Sequence, residues 1–111
     1  MIDFCVLGSG IAGSTIANLL SKKYSVHVFD KARGAGGRSS NKKLKGNLSF
    51  DHGVQYISPK SKVFTKIIQK LSKKKILKTW DGNHLDFTFE KKILTPKYIG
   101  VKANNALSKY Y

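Results

Sequence analysis

Val6-Leu7-Gly8-Ser9-Gly10-Ile11-Ala12-Gly13 is the stretch whose reading decides the fold. An apolar run at residues 2–7 enters the glycines and an amphipathic segment leaves them. G-x-G-x-x-G therefore stands between a strand and a helix, the context that gives the pattern its meaning. Gly8 suits a tight turn, Gly10 admits a pyrophosphate close to the backbone, and Gly13 lets helix and strand approach. Backbone N–H groups along Gly8, Ser9, Gly10, Ile11, Ala12 and Gly13 then face an anion, with the positive end of the helix dipole behind them.

Outward from the turn, Ile11, Thr15, Ile16, Leu19 and Leu20 share one helical face, and Ser21-Lys22-Lys23 places cations at the negative end. Residues 26–29 read as a second strand, with Asp30 at its carboxyl end, where an acid accepts hydrogen bonds from an adenosine ribose. Lys31 and Arg33 beside it are of the kind that accept a ribose 2′-phosphate. A second glycine loop follows, Gly34-Ala35-Gly36-Gly37-Arg38. Gly36 and Gly37 fit a backbone passing the same pyrophosphate, with Arg38 as a cation held against it. The expected fold class is α/β, a Rossmann-like dinucleotide-binding βαβ unit.

The glycine turn, Asp30, Gly36-Gly37-Arg38 and Phe50-Asp51-His52-Gly53-Val54-Gln55-Tyr56-Ile57 together resemble renalase and its bacterial relatives. These are FAD-dependent oxidoreductases of the amine-oxidase-like group. Asp-x-Gly-x-Gln-Tyr is the more specific half of the resemblance. Trp80-Asp81-Gly82, Tyr98-Ile99-Gly100-Val101 and Ala106-Leu107-Ser108 continue it in the same order. The resemblance implies FAD as cofactor, with hydride passing from a reduced nicotinamide or an amine to the flavin and then to oxygen. It implies Gln55 and Tyr56 beside the flavin ring, Gly53 permitting close approach, and a hydroxyl from Ser39 or Ser40. Family members are much longer, so the resemblance covers their N-terminal part and an incomplete flavin-binding fold. Three readings follow: a fragment, one half of a split enzyme completed by a second chain, or a small binder that dimerises over its open edge.

A chain of 111 residues makes one domain. Residues 1–57 form its dinucleotide-binding and flavin-contacting part, and residues 58–111 form a helix plus an added antiparallel β layer from the substrate side. Cys5 is a single cysteine in an expected buried strand, hence packing rather than a disulfide. Asp3 and Gly8 interrupt any leader or membrane span, which makes cytoplasm the expected compartment. The net charge of +15 raises the question of nucleic acid. Of 21 Lys plus Arg, however, only Arg33 and Arg38 are arginine; the 19 lysines are scattered in pairs and triplets. Base readout and phosphate forks favour arginine, so weak, salt-sensitive polyanion binding is the expectation.

Farther along, residues 41–43 read as a solvated loop and residues 44–50 as a short strand or hairpin arm. Ser58-Pro59 signals a helix over residues 59–73, with Val63, Phe64, Ile67, Ile68 and Leu71 as its apolar face. Residues 76–80, a turn at 81–83, and the alternating residues 84–90 read as a hairpin. An apolar piece at 93–101 leads to a helical tail at 104–111. Trp80 suits either the core or a substrate pocket. No side chain qualifies as a named acid or base, so no catalytic residue is assigned, and no metal. The alternative to the flavin reading is a non-catalytic nucleotide-binding module that uses NAD(P).

Overall fold

A strand, a helix and a strand open the chain. The computed structural model describes residues 1–82 and 95–111. β1 (Phe4–Leu7) runs into Gly8, α1 (Ile11–Leu20) follows, and β2 (Val26–Phe29) lies parallel to β1. The register sets Phe4 opposite Val26 and Leu7 opposite Phe29. Parallel strands need a crossover, and α1 provides it. At the far end of the pair, the Asp3 carboxylate accepts the Ser25 N–H at 2.8 Å, while the Ser25 carbonyl accepts the N–H groups of Asp3 and Phe4.

Beyond the second glycine loop, β3 (Asn41–Lys43) and β4 (Ser49–Asp51) form an antiparallel hairpin. Residues 41–43 are thus a strand and not the solvated loop that their polarity suggests. Backbone pairing decides this, closed by the Leu44 N–H to the Leu48 carbonyl at 2.8 Å and by Asn41 reaching the Asp51 carboxylate at 3.1 Å. Gly46 and Asn47 turn the hairpin with positive φ, a conformation both residue types tolerate.

α2 (Lys62–Lys73) starts later than Ser58-Pro59 implies. The cap is Ser61, whose Oγ accepts the Phe64 N–H at 3.2 Å, so Pro59 stands outside the helix. Phe64, Ile67, Ile68 and Leu71 face inward, but Val63 lies at the edge of the stripe and is exposed. β5 (Leu77–Thr79) pairs antiparallel with β6 (Tyr98–Gly100), and α3 (Ala106–Tyr110) closes the chain. The strand expected at 84–90 lies outside the described residues.

Ile57, Ile68, Leu71, Leu77 and Leu107 form the buried core, which therefore sits under α2, β5 and α3. Ile11 packs against it and links the βαβ unit to this core. The β1–β2 pair is covered less. Cys5 is exposed, contrary to the packing role expected of it, as are Phe4, Leu7, Val28 and Phe29, and on α1 Ile16 and Leu19. A parallel sheet is usually apolar and covered on both faces; here α1 packs against the pair while those side chains stay open. No helix among the described residues is long and apolar enough to cross a membrane.

Leu71→Ala should cost about 3 kcal/mol, because Leu71 is fully buried at the centre of the cluster. Leu7→Ala, at a side chain 84% exposed, should stay within about 0.5 kcal/mol in the same urea titration.

Candidate functional site

Two glycines of the turn are required by the fold itself. Gly8 has φ of 93°, in the left-handed region. A Cβ on Gly13 would fall on the Gly8 carbonyl oxygen, so α1 can leave β1 at this angle only with glycine there. Gly10 is different. Its φ of −70° and ψ of −178° suit any residue, and a Cβ would meet only ordinary contacts, the nearest being the Gly37 Cα at 3.8 Å. No described residue demands glycine at this position.

α1 begins at Ile11, with Gly10 as a cap that offers no side chain. Its first intrahelical bond runs from the Ser14 N–H to the Gly10 carbonyl at 2.9 Å. The N–H groups of Ile11, Ala12 and Gly13 therefore precede any carbonyl of the helix that could accept them. Ile11 commits its side chain to the core, which leaves only its backbone for a ligand.

Ser9 faces the other way. Its N–H and its hydroxyl both donate to the Asp30 Oδ2, each at 2.6 Å, and the Ala32 N–H donates to Oδ1 at 2.7 Å. These bonds, led by the Ser9 hydroxyl, hold the Asp30 carboxyl down at about 2. Asp30 is thus a fixed, ionised acceptor at the end of β2. Lys31 and Arg33 are exposed on the loop after it.

The second glycine loop lies directly on the first. Gly10 and Gly36 form a parallel bridge, and the Gly36 N–H donates to the Ser9 carbonyl at 3.0 Å. A Cβ on Gly36, where φ is 136°, would strike Asn105 Cβ and Ser40 Cα, each at 2.9 Å. Arg38 follows in a 3₁₀ turn, exposed, with no partner for its guanidinium among the described residues. Ser39 turns its hydroxyl inward to the Gly36 carbonyl at 2.7 Å, and the Ser40 hydroxyl meets His52 Nε2 at 3.1 Å. Both hydroxyls are engaged within the protein itself.

The segment at 51–57 comes alongside through the backbone of Arg38, whose carbonyl accepts the Val54 N–H at 3.0 Å. A Cβ on Gly53 would collide with that same carbonyl, so the fold alone accounts for this glycine. Gln55 is exposed, and Tyr56 lies partly open against Trp80 with ring centroids 5.8 Å apart. Lys97 Nζ sits 4.4 Å from the Tyr56 ring centroid.

Two residues that sequence reasoning missed hold these pieces together. Asn104, nearly fully buried, donates from Nδ2 to the carbonyls of Val54 at 2.8 Å and Gln55 at 3.2 Å, and accepts the Gly100 N–H. Its own N–H donates to the Asp51 carboxylate at 3.0 Å, the group that Asn41 also reaches. Asn105 donates to the Ala35 carbonyl at 3.3 Å. Consecutive asparagines just ahead of a helical tail are a visible signal, but the carbonyls they donate to lie 49 to 70 residues back.

Residues 6–71 match the family described as NAD(P)-binding Rossmann-like domain. Structures of putrescine oxidase are similar to this chain. A double mutant from a structure-based redesign of cofactor binding aligns at 29% identity and TM-score 0.54, and the wild type bound to putrescine at 30% and 0.53. Each alignment covers 71% of this chain and 17% of the putrescine oxidase chain. An uncharacterised protein of Methanocaldococcus jannaschii is 36% identical over 53 residues, which are 48% of this chain and 14% of that protein. The matched region thus spans about one-sixth of the length of these relatives.

Two outcomes follow for the free protein. Gly13→Ala should cost about 2 kcal/mol by forcing α1 off β1, whereas Gly10→Ala should stay within about 0.5 kcal/mol, by chemical denaturation. Asp30 has a folded pKa below its ordinary 3.8, so its contribution is complete above that value and lost as pH falls toward about 2. Asp30→Asn should be less stable than wild type at neutral pH, with the gap closing below pH 3.8.

Proposed function

The chain belongs to the NAD(P)-binding Rossmann-like domain family, and on that footing we propose that it binds FAD as the cofactor-holding portion of a renalase-like flavin oxidoreductase. One observation carries the reading. Gly10 lies under the second glycine loop, has room for a methyl group and an ordinary backbone conformation, yet is glycine. A group laid over the turn needs that space; the protein does not.

In this reading the pyrophosphate lies against the backbone of Gly10, Ile11 and Ala12, with Gly8 and Gly13 shaping the turn. Gly36 and Gly37 form the opposite wall, and Arg38 supplies the cation. Asp30 accepts from the ribose, and Ser9 acts through Asp30 by fixing the carboxylate. Gln55 and Tyr56 lie toward the flavin ring. Bound flavin supplies the hydride-accepting chemistry, while these residues bind and orient it. Residues 1–57 are the cofactor part and residues 58–111 the start of a substrate-side layer. Because the alignment spans 17% of the putrescine oxidase chains, oxidation of a reduced nicotinamide or an amine belongs to the completed enzyme. The completing part is further chain, a second polypeptide or a second copy.

A second reading, an NAD(P)-binding module without catalysis, is favoured by Lys31 and Arg33, both exposed directly after Asp30. Loading with each cofactor separates the two. The chain is mixed with excess FAD or NADPH, desalted, and scanned for bound chromophore and melting temperature. The expected result is retained FAD and a raised melting temperature. Gly10→Ala should weaken FAD by roughly tenfold or more while the free protein melts normally, since a Cβ lifts the pyrophosphate off the turn. Unchanged FAD affinity in that variant would overturn the reading. NADPH retained in preference, and lost in Lys31→Gln with Arg33→Gln, would replace it with the second.

A further inference from the structure

Behind the second glycine loop lies a cavity of about 590 Å³, lined by none of the glycine-turn residues nor by Asp30, Arg38, Gln55 or Tyr56. Lys43 from β3, Lys75 just beyond α2, Lys102 after β6 and Lys109 on α3 all line it. These four lysines come from four separate parts of the chain, so no local charge run explains their meeting. Among the described residues, no Asp or Glu lines the cavity. A wall that carries lysines and no described carboxylate presents positive charge to an anion.

Lys75 adds an independent observation. α2 ends in a Schellman arrangement: the Lys75 N–H bonds to the Ser72 carbonyl at 2.9 Å and the Ile76 N–H to the Leu71 carbonyl at 3.0 Å. The residue at the left-handed position of this motif is usually glycine. Here it is Lys75, with φ of 56°. A lysine is a costly choice there, and the side chain retained at that cost lines the cavity.

We infer that the chain carries a second anion site, this lysine-walled cavity, which takes a small phosphorylated ligand. Lysine binds phosphate as a point charge and needs no fork geometry, which suits a wall of lysines without arginine. Ile76, Val101 and the Tyr110 ring offer apolar surface for the rest of such a molecule, and the volume falls in the range of small-molecule sites. Asn105 lines the cavity and also donates to the Ala35 carbonyl, so this side chain joins the cavity wall to the second glycine loop. The cavity offers this site whichever dinucleotide the glycine turn takes.

Titration calorimetry of the full chain with inorganic tripolyphosphate, at about 0.15 M salt, tests it. Wild type should bind saturably, with a component that Gly10→Ala leaves in place. Lys75→Gly should bind about fivefold more weakly. Its melting temperature should stay level or rise by about 3 °C, because glycine relieves the left-handed position. Lys102→Gln with Lys109→Gln should weaken binding further. Lys60→Gln with Lys66→Gln, which removes the same charge outside the cavity, should stay within about twofold. Equal weakening by the Lys60 and Lys66 pair would reduce the effect to net charge and overturn the site. So would the absence of saturable binding by wild type, or loss in Gly10→Ala with the cavity variants unaffected, which would place the probe at the glycine turn.

Discussion

Four hydrogen bonds meet at Ser9, and the arrangement of both glycine loops depends on them. Its N–H and hydroxyl donate to Asp30, and its carbonyl accepts the Gly36 N–H and the Ser14 hydroxyl. One residue thus ties the first turn to the end of β2, to the second loop and to α1. Asp30 is the anchor, because a carboxylate accepting three N–H and O–H donors stays ionised and keeps its direction. An acid at this position therefore does two things: it presents charge at the end of β2 and it sets the shape of the turn.

A second tie works from the other end of the chain. Asn104 and Asn105 lie just ahead of α3 and reach back to the 51–55 segment and the 34–38 loop. Their bonds are to backbone carbonyls, to the Gly100 N–H and to Asp51, so they fix main-chain paths and leave the exposed side chains of Arg38, Gln55 and Tyr56 facing outward. The small core beneath α2, β5 and α3 gives this tie its footing, since Leu107 is part of it. The site is in this sense assembled between two frames: the parallel pair with its turn, and the core that the C-terminal residues complete.

The balance of burial follows from the same division. Packing of the kind that encloses Ile68 does not extend to β1 and β2, where Phe4, Leu7, Val28 and Phe29 stay exposed, while the core residues among those described all come after residue 56. The apolar strands carry the composition of a sheet buried on both faces. That composition, set beside their exposure, is why a completing partner, whether further chain or another molecule, forms part of the proposed function.

Much of this was legible in the residues alone. The glycine spacing, the amphipathic run after it, the second apolar strand and Asp30 are local patterns. They reproduce β1, α1 and β2 closely because strand and helix periodicity act over a few residues. Tertiary structure decided what local patterns cannot carry. Cys5 lies on a strand that reads as buried but is exposed, because burial depends on what lies opposite. Residues 41–43 read as loop but pair as a strand, because the hydrogen bonds come from residues 49–51. Gly53 suggests a ligand by its position, yet the Arg38 carbonyl is what excludes a side chain there. Asn104, Asn105 and the four cavity-lining lysines are single polar residues whose meaning lies largely in groups far along the chain. A sequence states each residue's chemistry and its neighbours; which distant groups share a space is settled only when the chain closes on itself.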